Sequence, residues 1–352
     1  MKIKLYGLLI TACMMNACKK EDIPDICLRY VGISQLSEGR YNLAGAGTGN
    51  KILFAGGEND IGESSDKVDI YNVATESWST AELSIARQEM AATSAGTKIF
   101  FAGGWNPGGT IYSRVDIYDV VTDEWSTAEL SQPRYGLAAA AAGDKVMFAG
   151  GNSSSSVYSK RVDIYDIPSG TWTTAELSQT RTELAAAATD TKIFFAAGYA
   201  TNTADIYDVT TGNWSIGTLS EARRALAGAA AENKVVFAGG TLNSAAKTNT
   251  VDIYDADANT WSTAQLSESK SGLASGNLLH MIAFAGGVSN VVEIYNAVTN
   301  TWTTDNLSLA RSSLAGASAG NTLMFAGGFG GPGASKRVDI FSLGICDDPA
   351  RR

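Results

Sequence analysis

Leu83 to Glu129 reads LSIARQEMAATSAGTKIFFAGGWNPGGTIYSRVDIYDVVTDEWSTAE, one copy of a cassette written seven times along the chain. Each copy has an LSxxR step, a stretch of small residues, an apolar run ending in Gly-Gly, a VDIY tetrad and a Trp segment. The glycine-closed runs start at Phe54, Phe101, Phe148, Phe195 (as FAAG), Phe237, Phe284 and Phe325. The VDIY tetrads start at Val68, Val115, Val162, Ala204, Val251, Val292 (as VEIY) and Val338 (as VDIF), with spacings of 47, 47, 42, 47, 41 and 46 residues. The basic residue of each step is Arg40, Arg87, Arg134, Arg181, Arg223, Lys270 or Arg311.

A period of this size, made of short β-type segments, predicts an all-β, seven-bladed propeller with one cassette per blade. KIFFAGG is a short apolar run stopped by glycine. VDIYD alternates in polarity, and the Trp segment is rich in β-branched residues. The AGTK, AGDK and AENK groups supply turn chemistry. Each cassette therefore yields four antiparallel strands, a to d. By propensity the alanines after Leu137 favour helix, but only about eight residues separate Arg134 from the next turn, too few for a stable helix. Strand a lies innermost, where blades converge and only Ala, Gly and Ser fit. Tyr and Trp lie further out, each Trp able to bury roughly 150–250 Å² between blades.

On these residues the chain resembles kelch-repeat β-propellers. Arg precedes strand a, Gly-Gly ends strand b, and Tyr and Trp follow at fixed offsets from residue 36 to 341. The resemblance implies a fold more than an activity, because propellers host unrelated functions. Bacterial relatives that resemble sialic-acid mutarotases would imply Arg and Glu in the channel, for which Arg224, Glu89 and Glu183 are available. A copper-oxidase relative would need several His ligands, and the chain has one, His280. That count also removes Ser-His-Asp and Cys-His catalysis. The four cysteines have no metal-ligand spacing. No cofactor, metal or catalytic residue is expected.

The division expected is a signal peptide at 1–17, a tether at 18–25, the propeller at 26–346 and a tail at 347–352. Lys2 and Lys4 precede a short apolar stretch, as in an export signal. Ala17-Cys18 followed by Lys19-Lys20-Glu21-Asp22 resembles a lipoprotein cleavage site, making Cys18 the expected lipidated residue. Cys13, behind Ile10-Thr11-Ala12, is the rival. These features place the protein at the outer membrane or cell surface, touching the membrane only through that lipid. A net charge of −9 without a basic patch argues against nucleic acid. A monomer is expected.

Residues 27–40, CLRYVGISQLSEGR, carry a strand d without its own a, b and c, and the last cassette carries a to c without d. The N-terminal strand should therefore close the ring. Counted back from the LS step, Val31 falls where other copies have Trp. Cys27 and Cys346 align with Val121 and Asp123 around a c–d turn, which predicts a disulfide in an oxidising compartment.

Function is expected where the repeat is broken. The recurring Arg and Asp read as a structural lattice, or else as a ring of Arg that draws in anionic groups. Glu89 and Glu183 occupy the second position after the Arg, where the other copies have Asn42, Gly136, Ala225, Gly272 and Ser313. Trp105, Tyr112, Tyr158, Tyr199 and Phe329 break the repeat in the b–c loops. Glu58, Asp60, Glu63 and Asp66 crowd the first loop but match no standard Ca²⁺ pattern. In a four-stranded meander the b–c and d–a connections share a side. The expected site lies there, with Trp105 as anchor and Glu89, Arg134, Glu183 and Arg224 at the mouth. The expected ligand is a glycan or a protein, with a sugar-modifying enzyme or a pure scaffold as the alternatives.

Overall fold

The structure, a computed structural model, describes residues 26–154, 156–287 and 289–346. The expected signal, tether, lipidated Cys18 and tail lie outside these residues. Seven four-stranded antiparallel sheets form the seven blades. In blade 2 the strands are Ala91–Ala95, Lys98–Ala102, Arg114–Asp119 and Glu124–Glu129. The seventh sheet takes its fourth strand, Ile26–Gln35, from the N-terminus, and this strand pairs with Arg337–Ile345 to close the ring.

The seven hydrophobic clusters lie between blades. Leu53 and Ala55 of blade 1 pack with Phe101, Tyr118 and Trp125 of blade 2. Their strand neighbours Ile52 and Phe54 pack with Ala317, Met324 and Val338 of blade 7. Alternation along a strand, which in a one-faced sheet separates core from solvent, here feeds two neighbouring blades. In blades 1 to 6 the Tyr of strand c stands opposite the Trp of strand d, as Tyr71 does with Trp78 at 5.0 Å between ring centres. Strand a carries Gly and Ala because the blades meet there: a Cβ on Gly47 would lie 2.4 Å from the Ser318 carbonyl oxygen.

The seventh blade corrects two expectations. Tyr30, not Val31, takes the Trp place: it pairs with Phe341, and their rings meet edge-on at 5.6 Å. A β-bulge between Tyr30 and Gly32 consumes one residue, so counting back from the LS step stops one residue short. Val31 is half exposed. The structure also forms no Cys27–Cys346 disulfide. Other blades turn after the pair equivalent to Asp119 and Glu124, but here no turn is required. The strands run on through Leu28↔Leu343, Cys27↔Gly344 and Ile26↔Ile345. Cys346 is thus two positions off register from Cys27. Diagonal neighbours of this kind sit about 7–8 Å apart, beyond usual disulfide reach of about 4.4–6.8 Å.

The repeated Arg is the structural lattice and not an anion-drawing ring, which removes Arg134 from the expected site. Arg40, Arg87, Arg134, Arg181, Arg223 and Arg311 are wholly buried. They pair with Asp69, Asp116, Asp163, Asp205, Asp252 and Asp339 of strand c. Arg134 also donates to the carbonyls of Gly150 and Arg161, both at 2.7 Å. The other oxygen of Asp163 accepts the N–H of Ser131 at 2.8 Å. The d–a connection is thereby bolted to its own blade. Burial lowers the Arg134 guanidinium to about 10, against the pull of Asp163. In blade 6 both partners change together: the shorter Lys270 meets the longer Glu293 at 3.5 Å.

Two predictions follow from this packing. Asp163→Asn strands a buried guanidinium and should cost about 3–5 kcal/mol in denaturant unfolding. Tyr30→Ala should cost about 2 kcal/mol or more, whereas Val31→Ala should stay within about 0.5 kcal/mol. The reverse order would restore Val31 to the Trp place.

Candidate functional site

The first two residues after each buried Arg, or after Lys270 in blade 6, stand at one mouth of the ring. The first pairs with the residue after the glycine doublet, giving Tyr41↔Glu58, Gln88↔Trp105, Tyr135↔Asn152, Ser312↔Phe329 and Arg224↔Thr241. The b–c loops and the d–a connections therefore rise on the same side, as the meander requires. The second residue has positive φ in all seven blades: Asn42, Glu89, Gly136, Glu183, Ala225, Gly272 and Ser313. Their backbones form a chain around the axis. Gly272 donates to Ala225, Ala225 to Glu183, Glu183 to Gly136, Gly136 to Glu89, Glu89 to Asn42, and Asn42 to Ser313. A left-handed L-residue costs roughly 1–2 kcal/mol, and Glu89 and Glu183 share their φ of 52° with Asn42 and Ala225, so the conformation belongs to the frame and the glutamates differ from the other blades only in side chain.

Below this ring lies an axial cavity of about 290 Å³, lined by strand a residues such as Gly45, Ala140 and Ala187. Its lining includes the polar side chains of Ser94, Ser275 and Asn277 but no charged one; charged side chains stand at the mouth. Three clusters form there, each across a blade junction.

Between blades 1 and 2, the hydroxyl of Tyr41 donates to Glu58, and Gln88 Nε2 donates to its other oxygen at 2.6 Å. Asn42 Nδ2 donates to Gln88 Oε1 at 3.0 Å. Burial first, then Glu58, pushes the Tyr41 phenol up to about 12. Phe329 lies edge-on to Tyr41, 5.3 Å between ring centres.

Between blades 4 and 5, Arg224 Nη1 donates to both oxygens of Glu183, at 2.9 and 2.8 Å. The same guanidinium stands over the Tyr199 ring, 5.7 Å from its centre. Tyr158 packs on Tyr199 at 5.4 Å. A cavity of about 170 Å³ adjoins, lined by Tyr199, Arg224 and Leu242 among others.

Between blades 2 and 3, Trp105 packs on Tyr135 at 5.6 Å, tilted by 41°. Glu89 is half-buried beside them. Burial raises its carboxyl above the ordinary carboxylate value, the neighbouring Trp105 indole N–H opposes this, and Glu183 and Glu58 add to the rise. That indole N–H is buried with no partner within hydrogen-bonding distance.

The structure therefore gathers Trp105, Tyr158, Tyr199, Phe329, Glu89, Glu183 and Arg224 at one face. Tyr112 is tied down within its own loop, its hydroxyl accepting from Asn106 at 2.8 Å. The acidic first loop is a staple: Asp60 accepts the Ala334 N–H across the ring closure. Among the described residues no group of acidic, His and Cys side chains could hold a metal ion. His280 lies at the opposite side, in a crevice of about 560 Å³ shared with Cys27 and Cys346. Sequence reasoning missed Tyr41, Gln88 and Tyr135, and noted Glu58 only as part of an acidic loop. The signal of the three was available, since the first position after the Arg is as irregular as the second.

The fold is a propeller with one irregular, polar-aromatic mouth, the architecture of a binding or scaffold module. The chain belongs to the kelch-repeat family: the family model for the KLHDC2/KLHL20/DRC7 Kelch-repeats domain matches residues 42–223 and 90–286. No curated protein matches it significantly.

Because burial disfavours ionised Glu89, its deprotonation opposes folding above its raised folded value. The penalty vanishes below the ordinary carboxylate value, where folded and unfolded chains are both protonated. Glu89→Gln should therefore raise the melting temperature at neutral pH, and the gain should fade as pH drops to about 4. A gain that grows on acidification would contradict the burial of this carboxyl.

Proposed function

We propose that this chain is a non-catalytic binding module that holds a partner protein at its b–c mouth, anchored at the outer surface of the cell by a lipid on Cys18. The observation that carries the binding face is the confinement of irregularity. The buried lattice, the strands and the short turns repeat in every blade, whereas Glu89, Trp105, Tyr135, Glu183, Tyr199 and Arg224 do not, and they lie together. A surface that repeats seven times is poorly suited to recognise an asymmetric partner.

A protein partner is preferred to a glycan because the rings pack on one another. Trp105 is partly covered by Tyr135, and Tyr199 by Arg224 and Tyr158. Aromatic and Arg anchors set among carboxylates are typical of protein hot spots, whereas sugar stacking calls for an open ring face. A sugar-modifying enzyme would need Arg224 for its substrate, and that side chain is engaged by both oxygens of Glu183.

A photo-crosslinking residue in place of Tyr199 should capture the partner on cells, and one in place of His280 should not. Against the purified partner, Trp105→Ala should weaken binding at least tenfold, about 2 kcal/mol, with the melting temperature nearly unchanged. Capture from His280 alone would move the site to the other side. A glycan-array hit that Trp105→Ala abolishes, with no protein captured, would make the ligand a sugar, and anomer interconversion above background would make the protein an enzyme. Mass spectrometry of the membrane-extracted N-terminus tests the anchor. Lipid on Cys13, or an unmodified N-terminus elsewhere, excludes Cys18.

A further inference from the structure

The repeat provides its own comparison between two junctions of the mouth. Trp105 and Tyr199 occupy the same place, directly after FAGG and FAAG. Glu89 and Glu183 also occupy the same place, two residues after the buried Arg, with the same φ of 52°. Blades 2 and 4 therefore each present an aromatic ring and a carboxylate to the following blade. What differs is the residue that blade supplies first after its own Arg. Blade 5 supplies Arg224, whose guanidinium covers the Tyr199 ring and binds Glu183 through both oxygens. Blade 3 supplies Tyr135, which adds a second ring and no charge.

The cradle at blades 4 and 5 thus holds a guanidinium of the protein's own, and its counterpart at blades 2 and 3 holds none. There Glu89 has no ion-pair partner among the described residues, and its polar neighbour is the Trp105 indole N–H. Every titratable group that acts on Glu89 from the neighbouring elements, Glu58 and Glu183, adds negative charge, and Tyr135 is neutral at physiological pH. Two rings and a desolvated carboxylate attract a cation more strongly than one ring in water does. Beyond Tyr135 stands Gly136 where the other junction has Ala225, and a Cβ there would meet only Thr182 and Asn152 side-chain atoms at 3.2 and 3.4 Å.

We propose that the Glu89–Trp105–Tyr135 cradle is the subsite for an arginine side chain of the partner protein, whose guanidinium takes the place that Arg224 takes at the equivalent junction. The inference rests on the protein-binding reading and gives it a chemical specificity. Arginine suits the place better than lysine because a planar fork can lie on a ring and reach both carboxylate oxygens at once.

The test uses the folded propeller and short synthetic peptides carrying arginine, its neutral isostere citrulline, or lysine at one position. Binding is followed by calorimetry and by the indole N–H resonance of Trp105, assigned with Trp105→Phe. The arginine peptide should bind at least tenfold more tightly than the citrulline peptide, with lysine between them. Glu89→Gln should remove that preference. Tyr135→Arg should fill the cradle from within, weakening the arginine peptide at least tenfold while leaving the chain folded. Binding should also weaken as acidification protonates Glu89. Equal binding of arginine and citrulline peptides, or arginine binding that survives both Glu89→Gln and Tyr135→Arg, would overturn the proposal. So would a response to glucosamine oligomers with none to the arginine peptide. If the cradle fails while Tyr199 still captures a partner, the arginine subsite is wrong and the binding face stands. If capture moves to His280, the binding face itself is wrong.

Discussion

The buried ion pair of each blade, Arg–Asp in six of them and Lys–Glu in blade 6, is the contact on which the rest of the ring depends. A charge taken out of water is tolerated when an opposite charge pairs with it. Each guanidinium reaches a strand c carboxylate and backbone carbonyls beside strand b, while the carboxylate also takes a backbone N–H from the d–a connection. One polar cluster thus fixes three segments of a blade and the direction in which the chain enters it. The exchange at blade 6, Lys270 with Glu293, shows the constraint from another side. The total reach of the pair is retained while both members change, and Lys270 Nζ still finds the Val291 carbonyl at 2.9 Å.

Around these pairs the hydrophobic energy is spread over seven interfaces. Each strand gives alternate side chains to the preceding and the following blade, so no blade has a core of its own. Such an arrangement holds only when the ring is closed, which makes the pairing of the N-terminal strand with the seventh blade a condition of stability for all seven. That junction departs most from the pattern. It carries a bulge, a Tyr in place of Trp, and strands that run three pairs past the place where the other blades turn. The added pairing stands where the other blades have a covalent c–d turn.

The mouth follows from the same geometry. The residue two places after each Arg must adopt a left-handed backbone to hand its N–H to the preceding blade, whatever side chain it carries. Glycine would serve this conformation everywhere, so Glu89 and Glu183 are held against local preference. The backbone there is common to all seven blades, so only the side chains distinguish Glu89 and Glu183. The two glutamates then diverge in environment through a single neighbour each, Arg224 or Tyr135.

Blade number, strand order, ring closure and the small-residue axis were legible in the sequence, because seven copies make spacing and residue size unambiguous. The side on which Glu89, Trp105, Tyr199 and Arg224 meet was also legible, since a meander fixes which loops share a side. The burial of Arg134 was not certain, because a repeated Arg, though it reads first as a lattice, also fits a channel ring until the path of its side chain is known. The place of Tyr30 was hidden by a bulge, which inserts one residue without any mark in the text. The offset of Cys346 from Cys27 turned on two strands running past the expected turn. The pairing of Arg224 with Glu183, and its absence at Glu89, joins residues about forty positions apart in successive blades. Sequence periodicity determines the frame because every blade obeys the same packing. The partners at the mouth depend on contacts between blades that differ, and these only the closed ring decides.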